Sequence, residues 1–271
     1  MSSKPHRDTI FVEDAEILSH EHLDGDQHIM RVHAPECAGR ALPGQFAHIT
    51  VNLQRPMRRP ISIMRVSAGE GWVDFLYKAI GEGTALLAER EAGERVSIMG
   101  PIGQGFNLNA KRPLLIGGGV GMPPMICIAE AIKGTDTKPF AILGSEVPFP
   151  FTAKPSQIMV PGMPDGVIGA MPLLEDWGIP SRLASLQGYP GTFEGYVTEL
   201  ARHWLQALDD DARSEVVLYS CGPHPMLEAV VKLAREFDLP VQVSLEEYMA
   251  CAVGGCAGCV VEVQTDEGPS M

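Results

Sequence analysis

Three cysteines, Cys251, Cys256 and Cys259, stand in the run Met249-Ala-Cys-Ala-Val-Gly-Gly-Cys-Ala-Gly-Cys-Val-Val. Their spacing, C-x4-C-x2-C, is the one with which plant-type [2Fe–2S] ligand sets begin. A loop around an anionic cluster must bring its backbone close and aim N–H groups at sulfide, so it needs residues without bulk. Gly254, Gly255, Ala257 and Gly258 meet that need. The competing readings are a zinc site and a buried cysteine cluster. Zinc loops usually carry C-x2-C pairs with a second pair or histidines further on, and no histidine follows His224. A [2Fe–2S] cluster takes four protein ligands, and none of the 12 residues after Cys259 is a cysteine. Either the fourth ligand lies beyond these residues, or another group supplies it, or no cluster forms.

Four further motifs suit nucleotides. Arg59-Pro-Ile-Ser62 ends a basic cluster of Arg55, Arg58 and Arg59. A forked guanidinium suits a phosphate, and a serine three residues later on an extended strand can donate to a ring nitrogen. Taken alone the pattern is weak, and the arginines read equally well as surface charge. Tyr77-Lys-Ala-Ile-Gly-Glu-Gly-Thr84 puts Gly81 and Gly83 before a helix N-terminus. There free N–H groups and the helix dipole favour a diphosphate, although an ordinary strand-to-helix turn has the same look. Ile116-Gly-Gly-Gly-Val-Gly-Met-Pro-Pro is a glycine-rich turn of G-G-G-x-G form, distinct from the G-x-G-x-x-G dinucleotide fingerprint. It shares that fingerprint's mechanism, a backbone bare enough for a nucleotide to approach. Tyr219-Ser-Cys-Gly-Pro-His-Pro-Met226 follows another apolar strand. Cys221 there is either a core thiol or a neighbour of a nicotinamide ring, and His224 reads as a solvated loop residue.

The elements that must hold these motifs change character part-way along the chain. From about Ile10 to Ile98, short β-branched and aromatic runs alternate with turn residues, as in Phe46-Ala-His-Ile-Thr-Val and Trp72-Val-Asp-Phe-Leu-Tyr. This predicts a small antiparallel barrel with one embedded helix starting at Gly83, capped by Thr84. After Gly100-Pro-Ile-Gly-Gln-Gly-Phe106 the rhythm becomes strand, glycine turn, helix. Strands are expected at Pro113–Gly117, Phe140–Gly144, Glu215–Cys221 and Val241–Ser244. Helices are expected from Pro123 and from Pro225 to Phe237. That alternation implies a parallel sheet covered by helices. Residues 146–192, rich in Pro, Gly and Met, read as an irregular surface excursion. The expected division is a barrel over residues 8–106, an α/β nucleotide domain over 107–240 and a small cluster-binding segment over 241–271.

Composition narrows the partners. The chain has 271 residues, enough for two compact domains and an appendage. Its 34 acidic and 21 basic residues give a net charge of −13, which argues against nucleic acid or an anionic membrane as partner. Six cysteines, three of them clustered, do not look like a disulfide framework and suggest a reducing compartment. The N-terminus lacks a long apolar stretch, and no apolar run reaches the length of a membrane span. The plain expectation is a cytoplasmic protein.

In order, Arg59-Pro-Ile-Ser62, Gly81-Glu-Gly-Thr84, Gly117-Gly-Gly-Val-Gly121, Cys221-Gly-Pro-His-Pro and the cysteine loop resemble the ferredoxin–NADP reductase superfamily. More narrowly, Ser244-Leu-Glu-Glu-Tyr-Met-Ala-Cys-Ala-Val-Gly-Gly-Cys-Ala-Gly-Cys resembles the electron-transfer subunits of NAD-dependent dihydroorotate dehydrogenases, as do Pro43-Gly-Gln-Phe46 and Gly195-Tyr-Val-Thr-Glu-Leu200. The resemblance implies FAD between barrel and NAD domain, with a [2Fe–2S] cluster near the C-terminus. It places Arg59, Pro60, Ile61 and Ser62 along the flavin, with Ser62 steadying its N5. Leu76, Tyr77, Lys78, Gly83 and Thr84 would hold the rest of FAD. Gly117, Gly118, Gly119, Gly121, Cys221, Gly222 and Pro223 would face NAD, with Gly222 leaving room for the nicotinamide to stack. Cys251, Cys256 and Cys259 would ligate iron. The implied partner is an FMN-containing catalytic subunit that oxidises dihydroorotate, in a heterotetramer. Electrons would run through the cluster and FAD to NAD+. The same motifs would serve a reductase subunit for a hydrogenase, an oxygenase or a ferredoxin, and a redox-sensing or zinc-stabilised module would keep the fold without turnover. Two features depart from the family. Its fourth cysteine lies further past the third than residue 271, and residues 146–192 are longer than usual.

Overall fold

The computed structural model describes residues 9–52, 57–265 and 268–270. Arg55 of the basic cluster and residue 8, the expected start of the first domain, lie outside them.

In the first half of the chain, six strands each present apolar side chains to one face and close on those faces. They are β1 (Phe11–Leu23), β2 (Gln27–His33), β3 (Phe46–Ile49), β4 (Arg59–Ser67), β5 (Trp72–Lys78) and β6 (Arg95–Ile102). They form a closed antiparallel barrel in the order β1-β2-β5-β4-β3-β6. Ile17, Met30, Ile63, Phe75 and Ile98 fill its interior. A short helix, α1 (Pro35–Ala38), follows β2, and α2 (Glu82–Ala88) follows β5. Gly81 caps α2, and Thr84 is its third residue. The Thr84 hydroxyl donates to the Gly81 carbonyl at 3.1 Å and accepts the Gly81 N–H at 3.2 Å. The helix thus starts earlier than expected, because a threonine reaching back from the first turn holds its entry.

The second half alternates as the apolar runs require: β7 (Arg112–Gly118), α3 (Met122–Ile132), β8 (Phe140–Gly144), β9 (Lys154–Pro155), β10 (Gly169–Ala170), α4 (Pro172–Asp176), β11 (Ser181–Ala184), α5 (Val197–Ala207), α6 (Asp210–Ser214), β12 (Val216–Cys221), α7 (His224–Glu236) and β13 (Val241–Ser244). The five long strands form a parallel sheet ordered β11-β8-β7-β12-β13. Numbered within the sheet this is 3-2-1-4-5, the doubly wound order, and its direction reverses between β7 and β12. Helices cover both faces, so β8 is buried throughout and β7 from Pro113 onward. A two-stranded ribbon, β14 (Val263–Thr265) with β15 (Gly268–Ser270), ends the chain.

Three features correct the sequence expectation. The excursion over 146–192 contains β11, an edge strand of the main sheet, and the β9–β10 ribbon. Beyond it, the expected elements omit α5, whose Val197, Leu200, Ala201, Trp204 and Leu205 are buried at helical spacing. His224 is no loop residue: it opens α7, and its Nε2 stands 3.3 Å from the Glu228 carboxylate one turn on.

The two halves pack on one another. Met64 and Leu76 leave the barrel to join Met122 and Met125 in one apolar cluster. The Arg65 guanidinium on β4 pairs with Glu130 of α3 at 2.9 Å. At the crossover, the Phe106 N–H still bonds the barrel carbonyl of Pro43 at 2.9 Å. The next N–H, of Asn107, bonds Gln242 of the sheet at 2.9 Å.

Candidate nucleotide and cluster sites

In a doubly wound sheet the strand ends open into a crevice where the order reverses, and ligands bind there. The turns that follow β7 and β12 are Gly117–Gly121 and Cys221–Pro223, so the sheet brings together two motifs a hundred residues apart. At Gly121 they touch backbone to backbone. A Cβ on Gly121 would lie 2.2 Å from the Cys221 carbonyl oxygen, and one on Gly118 would lie 2.5 Å from Met226 Sδ. Gly222 has φ +156° and lies under the same methionine. Gly119 is left-handed at φ +55° with open space beside it. The result is a bare ledge on which a dinucleotide can lie. Cys221 itself is 1% exposed, and burial first, then the Glu246 charge, push its thiol up to about 12. It is a neutral thiol buried at the end of the strand.

On the barrel, Ser62 lies half-buried on β4 opposite Phe46 of β3. Ile61 turns inward to the barrel core, so any flavin contact it makes is through its main chain. Arg59 Nη1 bonds the carbonyls of Met57 and Arg58 at 2.9 and 3.4 Å. The rest of its guanidinium lies on Gly83, where a Cβ would sit 2.1 Å from Nε. A forked cation over a bare helix start suits a diphosphate in charge and in space, so FAD fits the residues present. Leu76 is buried at the seam of the two halves, and Lys78 is partly exposed at the end of β5. Tyr77 points the other way. Its ring stacks on His28 with centroids 5.1 Å apart, and its hydroxyl meets His20 Nε2 at 2.9 Å. Its contribution toward a flavin can come only from its backbone.

His48 carries a signal the sequence did not give. It sits on β3 between Pro60 and Met99, fully buried, with no hydrogen-bond partner at either ring nitrogen. Burial first, then the Arg58 charge, pull its pKa down to about 4. A histidine with a depressed folded pKa stabilises the fold above its unfolded value of 6.5. That contribution disappears as pH falls from 6.5 to about 4. Unfolding in urea at pH 7.5 and 4.5 should show His48→Met losing less stability than the parent on acidification, by on the order of 2 kcal/mol. Parallel losses would refute the assignment.

The cysteine loop supplies thiolate chemistry. The Cys256 N–H points at Cys251 Sγ, 3.4 Å away. Amides of Val253, Cys256 and Gly255, together with the Cys256 thiol, hold the Cys251 pKa down to about 7, the Val253 N–H contributing most. Ala252, Gly254 and Ala257 are left-handed in this loop. The donor set fits an iron–sulfur cluster. Among the described residues Cys251 and Cys256 come together, while no three His, Cys, Asp or Glu side chains gather as a metal site.

These features recur in known proteins. An electron transfer subunit of dihydroorotate dehydrogenase B (NAD(+)) from Bacillus caldolyticus is 35% identical over 234 residues, 83% of this chain and 79% of the relative. The chain belongs to this family. The corresponding subunit of Desulforamulus reducens is 29% identical over 260 residues, 92% of this chain and 88% of its own. A family model described as the iron-sulfur cluster binding domain of dihydroorotate dehydrogenase B matches residues 246–271, which include all three loop cysteines. Among solved structures, an NADH-dependent reduced ferredoxin-NADP oxidoreductase superposes with TM-score 0.76 at 23% identity, over 95% of this chain and 84% of that one. A ferredoxin reductase of carbazole 1,9a-dioxygenase gives 0.68 at 22% identity, over 87% and 69%. At these identities the likeness is one of fold: barrel followed by nucleotide sheet. Among the described residues no helix is long and apolar enough to cross a membrane.

Proposed function

We propose that this chain is the electron-transfer subunit of an NAD-dependent dihydroorotate dehydrogenase, working in pyrimidine biosynthesis beside an FMN-containing catalytic subunit. The observation that carries the reading is the coexistence, in one chain of this family, of the Arg59–Gly83 cradle, the Gly121–Cys221 ledge and the C-x4-C-x2-C loop. When bound, the [2Fe–2S] cluster and FAD supply the electron relay from dihydroorotate oxidation to NAD+, so the chain's task is placement.

The residues divide that task. Arg59 and the start of α2, with Gly83 and Thr84, bind the FAD diphosphate; Pro60, the Ile61 main chain and Ser62 line the flavin. The Ser62 hydroxyl is the group assigned to flavin N5. Leu76 closes the seam behind it, and the main chain of Tyr77 and Lys78 borders the rest of the cofactor. Gly117, Gly118, Gly119, Gly121, Gly222 and Pro223 form the ledge for NAD. Cys221 stands beside it as a buried neutral thiol that keeps its proton near pH 7. Cys251, Cys256 and Cys259 hold iron. We place the first domain boundary at 106/107 and move the second from the expected 240/241 to 244/245, because β13 is the fifth strand of the nucleotide sheet. We place the chain in the cytoplasm, a setting supported by six unpaired cysteines.

The test is the anaerobically purified chain, assayed for flavin, iron and sulfide and then titrated with NADH. The reading expects stoichiometric flavin that NADH bleaches; a colourless chain that ignores NADH would refute it. Arg59→Ala should cut flavin per chain at least tenfold, since a charge-assisted contact to phosphate is worth roughly 1.5–3 kcal/mol. Unchanged flavin content would remove Arg59 from the site.

A further inference from the structure

The carboxyl end of β8 borders the nucleotide ledge, since Gly144 pairs with Gly118. The turn that follows it, Ser145-Glu146-Val147-Pro148, is held from two sides. The Ser185 hydroxyl donates to the Ser145 carbonyl at 2.7 Å, and Ser145 Oγ accepts the Val147 N–H at 3.3 Å. From the barrel, the buried Gln27 amide donates to the Pro148 carbonyl at 2.7 Å, and Gly25 presses against Val147. Between these anchors Glu146 is exposed and makes no hydrogen bond or ion pair among the described residues. The strand ends around it carry no compensating base. There is no lysine or arginine between Lys138 and Lys154, or between Arg182 and Arg202. Arg182 is buried, its guanidinium spent on the carbonyls of Ser181 and Ile158.

In a doubly wound sheet, an acid past the glycine turn that bonds the ribose 2′-hydroxyl selects NAD, whereas a 2′-phosphate calls for an arginine. We propose that Glu146 is the specificity-determining residue of this subunit, accepting a hydrogen bond from the adenosine ribose of NAD and repelling the 2′-phosphate of NADP. The position rests on the proposed NAD site. The barrel hairpin is part of the device, because Gln27 and Gly25 set the path of the turn that carries the carboxylate.

Calorimetry on the full flavin-loaded chain with ADP-ribose and 2′-phospho-ADP-ribose tests this without hydride chemistry, since neither fragment carries a nicotinamide. The parent should bind ADP-ribose the more tightly. Glu146→Gln should narrow the gap roughly tenfold to a hundredfold, and Glu146→Lys should reverse the preference. Glu146 is exposed, so both variants should fold as the parent does. A gap unchanged in both variants would overturn the assignment while leaving the NAD site standing. A parent that binds neither fragment nor NADH would overturn the NAD site and this proposal with it.

Discussion

Gly121→Ala should abolish NADH binding and destabilise the nucleotide domain by about 3 kcal/mol or more, the range for overpacking that no side chain can relieve. The added carbon would stand 2.2 Å from the Cys221 carbonyl oxygen, 2.4 Å from its carbonyl carbon and 2.5 Å from the Gly222 nitrogen. All three are backbone atoms of the turn after β12. A rotamer change cannot clear them, so the two central strands must separate at the edge proposed for the dinucleotide. Gly119→Ala is the control. Gly119 is left-handed at φ +55° but has nothing within 4 Å of an added Cβ, so it should lose only about 1–2 kcal/mol, the cost of a left-handed alanine. Thermal unfolding of both variants beside NADH titration checks the pair. If Gly121→Ala melts and binds like Gly119→Ala, the close approach of the two turns is wrong.

That contact also marks the limit of what the sequence can tell. The barrel was legible because β5, with Val73 and Phe75 facing its core, alternates as a strand must. The parallel sheet was legible because β7 and β8 are short apolar runs closed by glycine. β11 was not legible: it is four residues long, follows a proline and contains Ser181 and Arg182, both buried. Burial of an arginine is tolerated there because its guanidinium donates to the carbonyls of Ser181 and Ile158, a pairing that only the fold creates. The α5 pattern was present in the sequence and hidden by the Pro- and Gly-rich stretch before it. At the site, residue types announced the glycine turns and the thiols. The seating of Arg59 on Gly83 was not visible, because local sequence carries no information on which distant backbone a side chain meets. Nor was the inward turn of Tyr77, which the alternation of β5 would have given once Leu76 was placed on the outer face.

Cys256→Ser should bring iron to background while leaving flavin content and NADH oxidation by an artificial acceptor within about twofold of the parent, because the residues proposed for FAD and NAD lie on other elements. Electron transfer to the catalytic subunit should fall by orders of magnitude, since a serine hydroxyl replaces a thiolate among the ligands. The loop's own energetics point the same way. Ala252 and Ala257 are left-handed at φ +59° and +52°, each at a cost of about 1–2 kcal/mol. Of residues 251–260 only Ala252 is buried, so packing returns little against that strain. Amides turned toward Cys251 stabilise a thiolate, but in an exposed loop such bonds compete with water. Bonds from iron to these sulfurs, once a cluster is bound, would supply the interaction needed to hold the conformation. The variant should therefore also show faster amide exchange over residues 250–260 with the barrel and sheet unchanged. If flavin, NADH oxidation and iron are lost together, the loop is part of the fold's foundation instead. If iron stays at the parental level, Cys256 is not a ligand.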